Sequence, residues 1–264
     1  MIDEVTEYFT KHILLVILVM TRLSTLLMAM PAIGVGVPKR IRAMLAVLLT
    51  FLIVPTVISM SPDYSPRAAN NIDLTLMLAR EGLIGLLIGA VVQMLVTGVQ
   101  LAGEIMTGTG GMQLGDAIDP TTESTMPTLA QMIGILVVAV MISIGGHRLL
   151  MTSLIESFQA LPPGRVSMDD SMMSLVMSQM GISLAAGVRV AAPVVTTLLL
   201  CNLITGLISR TLPQINVLAI GLSINAIALL AVAALSIGSA GYIFQDEFAN
   251  TVGHLSQLWS QLQK

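Results

Sequence analysis

Long apolar runs separated by short polar turns make up nearly the whole chain. Residues 1–12 place Ile2, Val5 and Phe9 on one helical face and Asp3, Glu4 and Glu7 on another. An apolar run from Ile13 to Met30 follows, with Arg22 inside it, and stops at Pro31 and the Gly34–Pro38 turn. Lys39, Arg40 and Arg42 open a second run, which Ile41 to Met60 completes before the polar loop Ser61–Asp73. The third run, Leu74 to Ala102, carries Arg80 and Glu81 in its first turns. In it Gly85 and Gly89 stand one turn apart, a pairing of small residues that lets another helix approach closely.

A polar, glycine-rich stretch, Gly108 to Pro127, interrupts the middle of the chain. Beyond it the pattern predicts a fourth span from Thr128 to Gly145, with Pro127 suited to its first turn. A shorter helix, His147 to Ala160, ends at Leu161-Pro162-Pro163-Gly164. Met172 to Ser209 is then a run of about 38 residues, roughly 57 Å as a straight helix against a hydrocarbon core of about 30 Å. Such a run is a hairpin, a kinked helix or a helix that leaves the membrane, and Gly187 and Pro193 mark the expected break. The last span is Val217 to Tyr242. An amphipathic tail follows, with Phe244, Phe248, Val252, Leu255, Leu258, Trp259 and Leu262 at three- and four-residue steps; with one Lys at its extreme end, it reads as a docking helix for a protein partner in preference to a membrane-surface anchor.

Composition turns these runs into membrane spans. The chain has 264 residues, is 55% hydrophobic and only 10% charged, and has a mean hydropathy of +0.90. A soluble domain is about 25% charged, and so few charges cannot coat a large soluble core. The expected fold is an all-α membrane protein of about six long, partly broken apolar helices arranged as helical hairpins, in a single integral membrane domain over 1–264. The acidic start, Met1 to Glu7, does not read as the basic beginning of a cleaved signal peptide. Cys201 is the one cysteine and reads as an inert thiol in an apolar run.

A net charge of −3 with 12 Lys plus Arg argues against nucleic acid as a partner. With six spans, one side receives Lys11, Arg67, Arg148, Arg165 and Lys264, and the other Lys39, Arg40, Arg42 and Arg210. That division gives no clear orientation, which fits helices arranged by partners. Arg22, Arg80, Glu81, Glu104 and Arg189 lie within or at the edges of apolar runs. A charge at bilayer depth costs about 2.5–3.5 kcal/mol or more, so each is expected to be paired, to snorkel, or to face water or another subunit. For Arg80 and Glu81 the structural reading is preferred, whereas Arg22 and Arg189 are equally candidates for a pore or inter-subunit role. Nineteen methionines against nine aromatic residues suit either ordinary packing or a surface that deforms around a passing chain.

Catalytic constellations are missing. His12, His147 and His254 lack metal-ligand spacing, and no nucleophile elbow or phosphate loop occurs. Neither an enzymatic activity nor a cofactor or metal is expected.

An ordered set of short motifs runs nearly the whole length. It comprises Pro31, Val37-Pro38 and Arg42; Glu81-Gly82 with Gly85 and Gly89; and Ala102-Gly103-Glu104 leading to Asp119-Pro120. It continues with Gly146-His147, Ser157-Phe158, Leu161-Pro162, Ala192-Pro193, Asn202, Gly206, Arg210 and Pro213 to Val217. In this the chain resembles the FliR family of flagellar type III export-gate proteins, whose injectisome relatives are called SctT. The resemblance implies a subunit that joins FliP- and FliQ-like membrane subunits in a helical hetero-oligomer with other export-apparatus proteins. That assembly sits in the bacterial inner membrane at the flagellar basal body and passes unfolded flagellar proteins. Residues 1–171 would be a FliP-like part, and 172–264 a FliQ-like hairpin with the amphipathic tail.

The resemblance also implies a plug that obstructs the closed channel, at the positions within Met106 to Pro120. The residues suit the task. Gly108, Gly110, Gly111 and Gly115 permit close packing, Met112, Leu114 and Ile118 offer an apolar seal, and Asp116 and Asp119-Pro120 follow. A plain exposed loop between two spans is the competing reading of this segment. For the whole chain the competitors are an injectisome gate subunit, a small-molecule secondary transporter and a structural assembly seed. A transporter predicts paired broken helices in both halves, and only the run from Met172 to Ser209 suggests one.

Overall fold

Seven α-helices form all the regular structure among the described residues, which in this computed structural model are 13–31, 37–60, 66, 69–111, 128–164, 170–211 and 217–263. They are α1 (Ile13–Ala29), α2 (Lys39–Met60), α3 (Asn71–Thr109), α4 (Thr128–Ser143), α5 (Gly146–Ala160), α6 (Asp170–Thr211) and α7 (Val217–Leu262). The protein is all-α, as the apolar runs require, because a bilayer leaves backbone groups no partners but their own helix.

Four helices, α2, α3, α6 and α7, are long and apolar enough to cross a membrane, and α4 with α5 makes a fifth if the broken pair counts as one span. Six were expected. The difference lies first in α1, which has 17 residues and so is about 26 Å long, short of the roughly 30 Å hydrocarbon core. It lies also in α4, which has 16 residues and ends at Ser143, where Gly145 takes a left-handed φ of 74°.

The long helices overrun the expected boundaries. α3 continues through Gly103 and Gly108 to Thr109, so the glycine-rich stretch begins inside a helix. α6 is one helix of 42 residues through Gly187 and Pro193, and the expected interruption there does not occur. Pro193 removes one amide donor, leaving the carbonyl of Arg189 without its helical bond, but the helix goes on. Gly187 serves packing instead, as shown below. α7 likewise runs from the last span straight into the amphipathic tail, 46 residues in all.

The chain divides into two compact units, one made of 1–93, 145–179 and 249–264, the other of 94–144 and 180–248. In the first unit α1 packs on α2, and α2 also meets α5. Its core contains Leu18, Leu23, Leu26, Ile84 and Ile88, together with Leu255 and Trp259 from the tail. Trp259 is 1% exposed, and its Nε1 donates to Ser153 Oγ on α5 at 2.9 Å. The tail's apolar stripe is thus consumed by the chain's own core, which overturns its reading as a docking helix for a partner. The physical reason is that a buried indole needs a hydrogen-bond acceptor, and Ser153 supplies one inside the chain.

In the second unit, helices touch through glycine. A Cβ at Gly187 on α6 would strike the carbonyl oxygen of Gly98 on α3, and one at Gly98 would strike that of Ser183. Phe244 and Phe248 stack at 5.8 Å between ring centroids and are both buried.

Candidate functional site

A fully buried ion pair organises the first unit. α1 brings Arg22 and α3 brings Glu81 together, with Nε donating to Oε2 at 2.7 Å and neither side chain exposed. The remaining donors of the guanidinium reach α5 and the turn after it, Nη1 to Ser157 Oγ and Nη2 to the carbonyl of Leu161, both at 3.0 Å. The second carboxylate oxygen, Oε1, accepts from the amide of Gly164 at 2.8 Å. Phe158 lies under the guanidinium, 4.2 Å from Cζ to its ring centroid. Two charges survive burial when their other lone pairs and protons are also satisfied, and here the bonds of both groups tie three helices and one turn together.

This geometry needs α1 close to α3. Gly85 lies one turn after Glu81, and a Cβ there would collide with the Arg22 carbonyl oxygen and with Thr25 Oγ1. Gly89 meets Ala29 and the Leu26 carbonyl in the same way. The helix that approaches the Gly85–Gly89 pair is therefore α1 of the same chain.

The second unit holds the root of the glycine-rich stretch. α3 ends as Gly110 N–H donates to the Met106 carbonyl at 3.0 Å and Gly111 turns to a φ of 74°, which an L side chain rarely adopts. The last carbonyls are taken by two asparagines. Asn202 Nδ2 on α6 donates to Thr109 O at 3.5 Å, and Asn225 Nδ2 on α7 donates to Gly110 O at 3.4 Å and to Asn202 Oδ1 at 2.7 Å. Asn225 is buried, at 6% exposure. Around them is an open cleft of about 440 Å³ lined by 108–111, Asn202, Thr205, Gly206, Gly221, Leu222 and Asn225.

Of the candidate plug residues, Gly108, Gly110 and Gly111 are therefore at this root. Met112, Leu114, Gly115, Asp116, Ile118, Asp119 and Pro120 lie outside the described residues. Arg189 pairs with Glu247 at 2.7 Å, joining α6 to α7 near the surface, with the arginine side chain 63% exposed. Arg80 is exposed, Glu104 is half-buried, and Pro193 is exposed on α6. Among the described residues no three His, Cys, Asp or Glu side chains are grouped to hold a metal.

Asn225 escaped the sequence reading. Its signal was a lone carboxamide inside the apolar run from Val217, where an unpaired polar group would be expensive.

The model of the bacterial export proteins, family 1, matches residues 13–251. The flagellar biosynthetic protein FliR of Caulobacter vibrioides is 27% identical over 232 residues, covering 88% of this chain and 91% of that protein. The FliR of Escherichia coli is 29% identical over 191 residues, covering 70% and 69%, and that of Bacillus subtilis 27% over 213 residues, covering 79% and 80%. The residues matched by the family model take in both the buried ion pair and the asparagine clamp. The chain belongs to the bacterial export proteins, family 1, together with the FliR proteins.

Proposed function

We propose that the chain is a non-catalytic subunit of the flagellar type III protein export gate, placed in the bacterial inner membrane at the flagellar basal body. It assembles with FliP- and FliQ-like membrane subunits and helps to form and plug the channel for unfolded flagellar proteins. The single observation that carries this reading is the length of exposed apolar surface on α6. Met173, Met177, Leu184, Leu199, Leu203 and Ile208 are all exposed. From Met173 to Ile208 the helix rises about 53 Å, against a hydrocarbon core of about 30 Å. Lipid covers only part of so long a face, and other protein subunits cover the rest.

The division into a FliP-like part over 1–171 and a FliQ-like part over 172–264 has support in the pairing of α6 with α7. Asn202 bonds Asn225 across that pair, and a Cβ at Gly221 would stand 3.4 Å from Thr205 Cγ2. The plug is assigned to Met106–Pro120. Its support is the asparagine clamp, which fixes where the segment leaves α3 and so fixes one end of anything the segment obstructs.

Mass analysis of the detergent-extracted complex tests the reading. The chain should leave the membrane with several copies of small, unlike membrane proteins in a fixed ratio. Extraction as a monomer or a small homo-oligomer would point to a transporter instead and sink the proposal.

A further inference from the structure

Five charges stand in or beside apolar runs, and four of them are accounted for. Arg22 pairs with Glu81, Arg189 pairs with Glu247, and Arg80 is exposed to solvent. Glu104 on α3 is half-buried, and its carboxylate has no ion pair or hydrogen bond among the described residues. The second unit has few cations to offer it. Residues 94–144 and 180–248 carry six acids, Glu104, Asp116, Asp119, Glu123, Asp246 and Glu247, against two arginines, Arg189 and Arg210. Arg189 is taken by Glu247, and Arg210, in the last turn of α6, forms no pair with Glu104.

Glu104 lies on the face of α3 that its unit leaves open. Gly98 abuts Ser183 of α6 and Gly103 abuts Ala130 of α4, so closely that a Cβ on either would strike backbone. Thr97, Leu101, Glu104 and Gly108 recur at three- and four-residue steps away from those contacts, and each is exposed or half-buried. A carboxylate partly withdrawn from water among apolar residues needs a cation in return. A divalent metal needs several converging oxygens, and among the described residues no three His, Cys, Asp or Glu side chains are grouped. Anionic phospholipid headgroups are repelled by a unit with this surplus of acids. A basic side chain of another polypeptide has the charge the unit lacks, and Gly108, one turn on, has no side chain to hold a second helix off. We propose that Glu104 receives a Lys or Arg side chain from a neighbouring subunit that lies along 97–108 of α3. The inference rests on the export-gate reading, which supplies that neighbour.

The test uses the full-length chain extracted from the membrane, and the parent is measured first. A parent that leaves the membrane alone sinks the export-gate reading itself, and the inference with it. With the parent in a complex, Glu104→Gln should cut the amount of chain that copurifies with the other subunits about tenfold, and Glu104→Arg should cut it further. Glu104→Asp keeps the charge and should retain most of the assembly. The unfolding temperature of the isolated chain should be the same for parent and Glu104→Gln, since the carboxylate bonds nothing within it. A photoreactive amino acid in place of Leu101, one turn before Glu104, then captures what lies on this face, and mass spectrometry identifies the captured peptide. That peptide should belong to another subunit and contain a Lys or Arg. Replacing this basic residue by Glu should restore assembly to the Glu104→Arg chain. Normal assembly of Glu104→Gln, or an equal loss of stability in the isolated chain, overturns the inference while leaving the export-gate reading intact. So does capture of lipid alone or of a peptide without a basic residue, or a charge exchange that restores nothing.

Discussion

Arg22 donates from Nε to Glu81 Oε2 at 2.7 Å, across 59 residues of sequence and with both side chains shut off from solvent. Removing one member leaves the other charged and buried. Arg22→Ala or Glu81→Ala should therefore cost about 3–5 kcal/mol and deplete the folded protein from the membrane. Replacing both by apolar residues should cost less than the sum of the two single changes, because no lone charge remains. A double-mutant cycle on thermal unfolding of the extracted protein reads this coupling. Additive single effects would show that the pair is not the unit.

Gly82 and Gly85 make a matched pair of probes for the α1–α3 approach. A Cβ at Gly82 would meet only Thr25 Cγ2 at 3.5 Å and Thr21 Cγ2 at 3.8 Å, ordinary contacts with side chains. One at Gly85 would drive into the backbone carbonyl of Arg22. Gly82→Ala should be near neutral or slightly stabilising, since alanine favours a helix over glycine by about 1 kcal/mol. Gly85→Ala should cost about 1–3 kcal/mol, and it should also loosen the ion pair, because Arg22 moves with its carbonyl. Unfolding temperatures of the two variants measured side by side would sink this account if they fell together.

Trp259 distinguishes a tail used by the chain itself from one held out for a partner. Its indole is buried and bonded to Ser153, so Trp259→Ala should destabilise the isolated, extracted chain by about 3–5 kcal/mol. Trp259→Phe should recover most of that loss, apart from the hydrogen bond. If the alanine variant unfolds like the parent and loses only assembly with other subunits, the tail is a docking helix after all.

The parts that sequence made legible are those set by local composition and spacing. An all-α membrane fold follows from long uncharged runs, and the Gly85–Gly89 spacing pointed to a close helix contact. Pairings across the chain were not legible, because five candidate charges allow several matches and only packing selects Arg22 with Glu81. The choice between tail as surface and tail as core was equally hidden, since Trp259 shows its amphipathic position but not Ser153 as its acceptor. Gly187 and Pro193 misled for a physical reason. Both weaken a helix in water, yet α6 is held there by backbone contact with Gly98, which needs a residue without a Cβ at 187. Gly103 and Gly108 misled in the same way, since α3 runs through both to Thr109.

Asn225 carries the last prediction. Its Nδ2 bonds both Asn202 Oδ1 and the carbonyl of Gly110, so one buried side chain ties α7 to α6 and to the end of α3. Asn225→Leu keeps the branched outline of the side chain, at greater volume, but withdraws both N–H donors. The Gly110 carbonyl loses a bond of modest worth, about 0.5–1.5 kcal/mol, so the protein should still fold and assemble. What changes is the fixed point from which the 112–127 segment leaves α3. If Met106–Pro120 plugs the channel, loosening that root should raise ion leak across membranes that carry the assembled complex. Deleting Gly110 to Ile118 should raise it further. Asn202→Leu should resemble Asn225→Leu, because the two carboxamides act as one clamp. Leak is measured as conductance or as dye uptake at equal amounts of complex. Assemblies that form normally and stay as tight as the parent after the deletion would dismiss the plug and leave Asn225 as an ordinary helix cap.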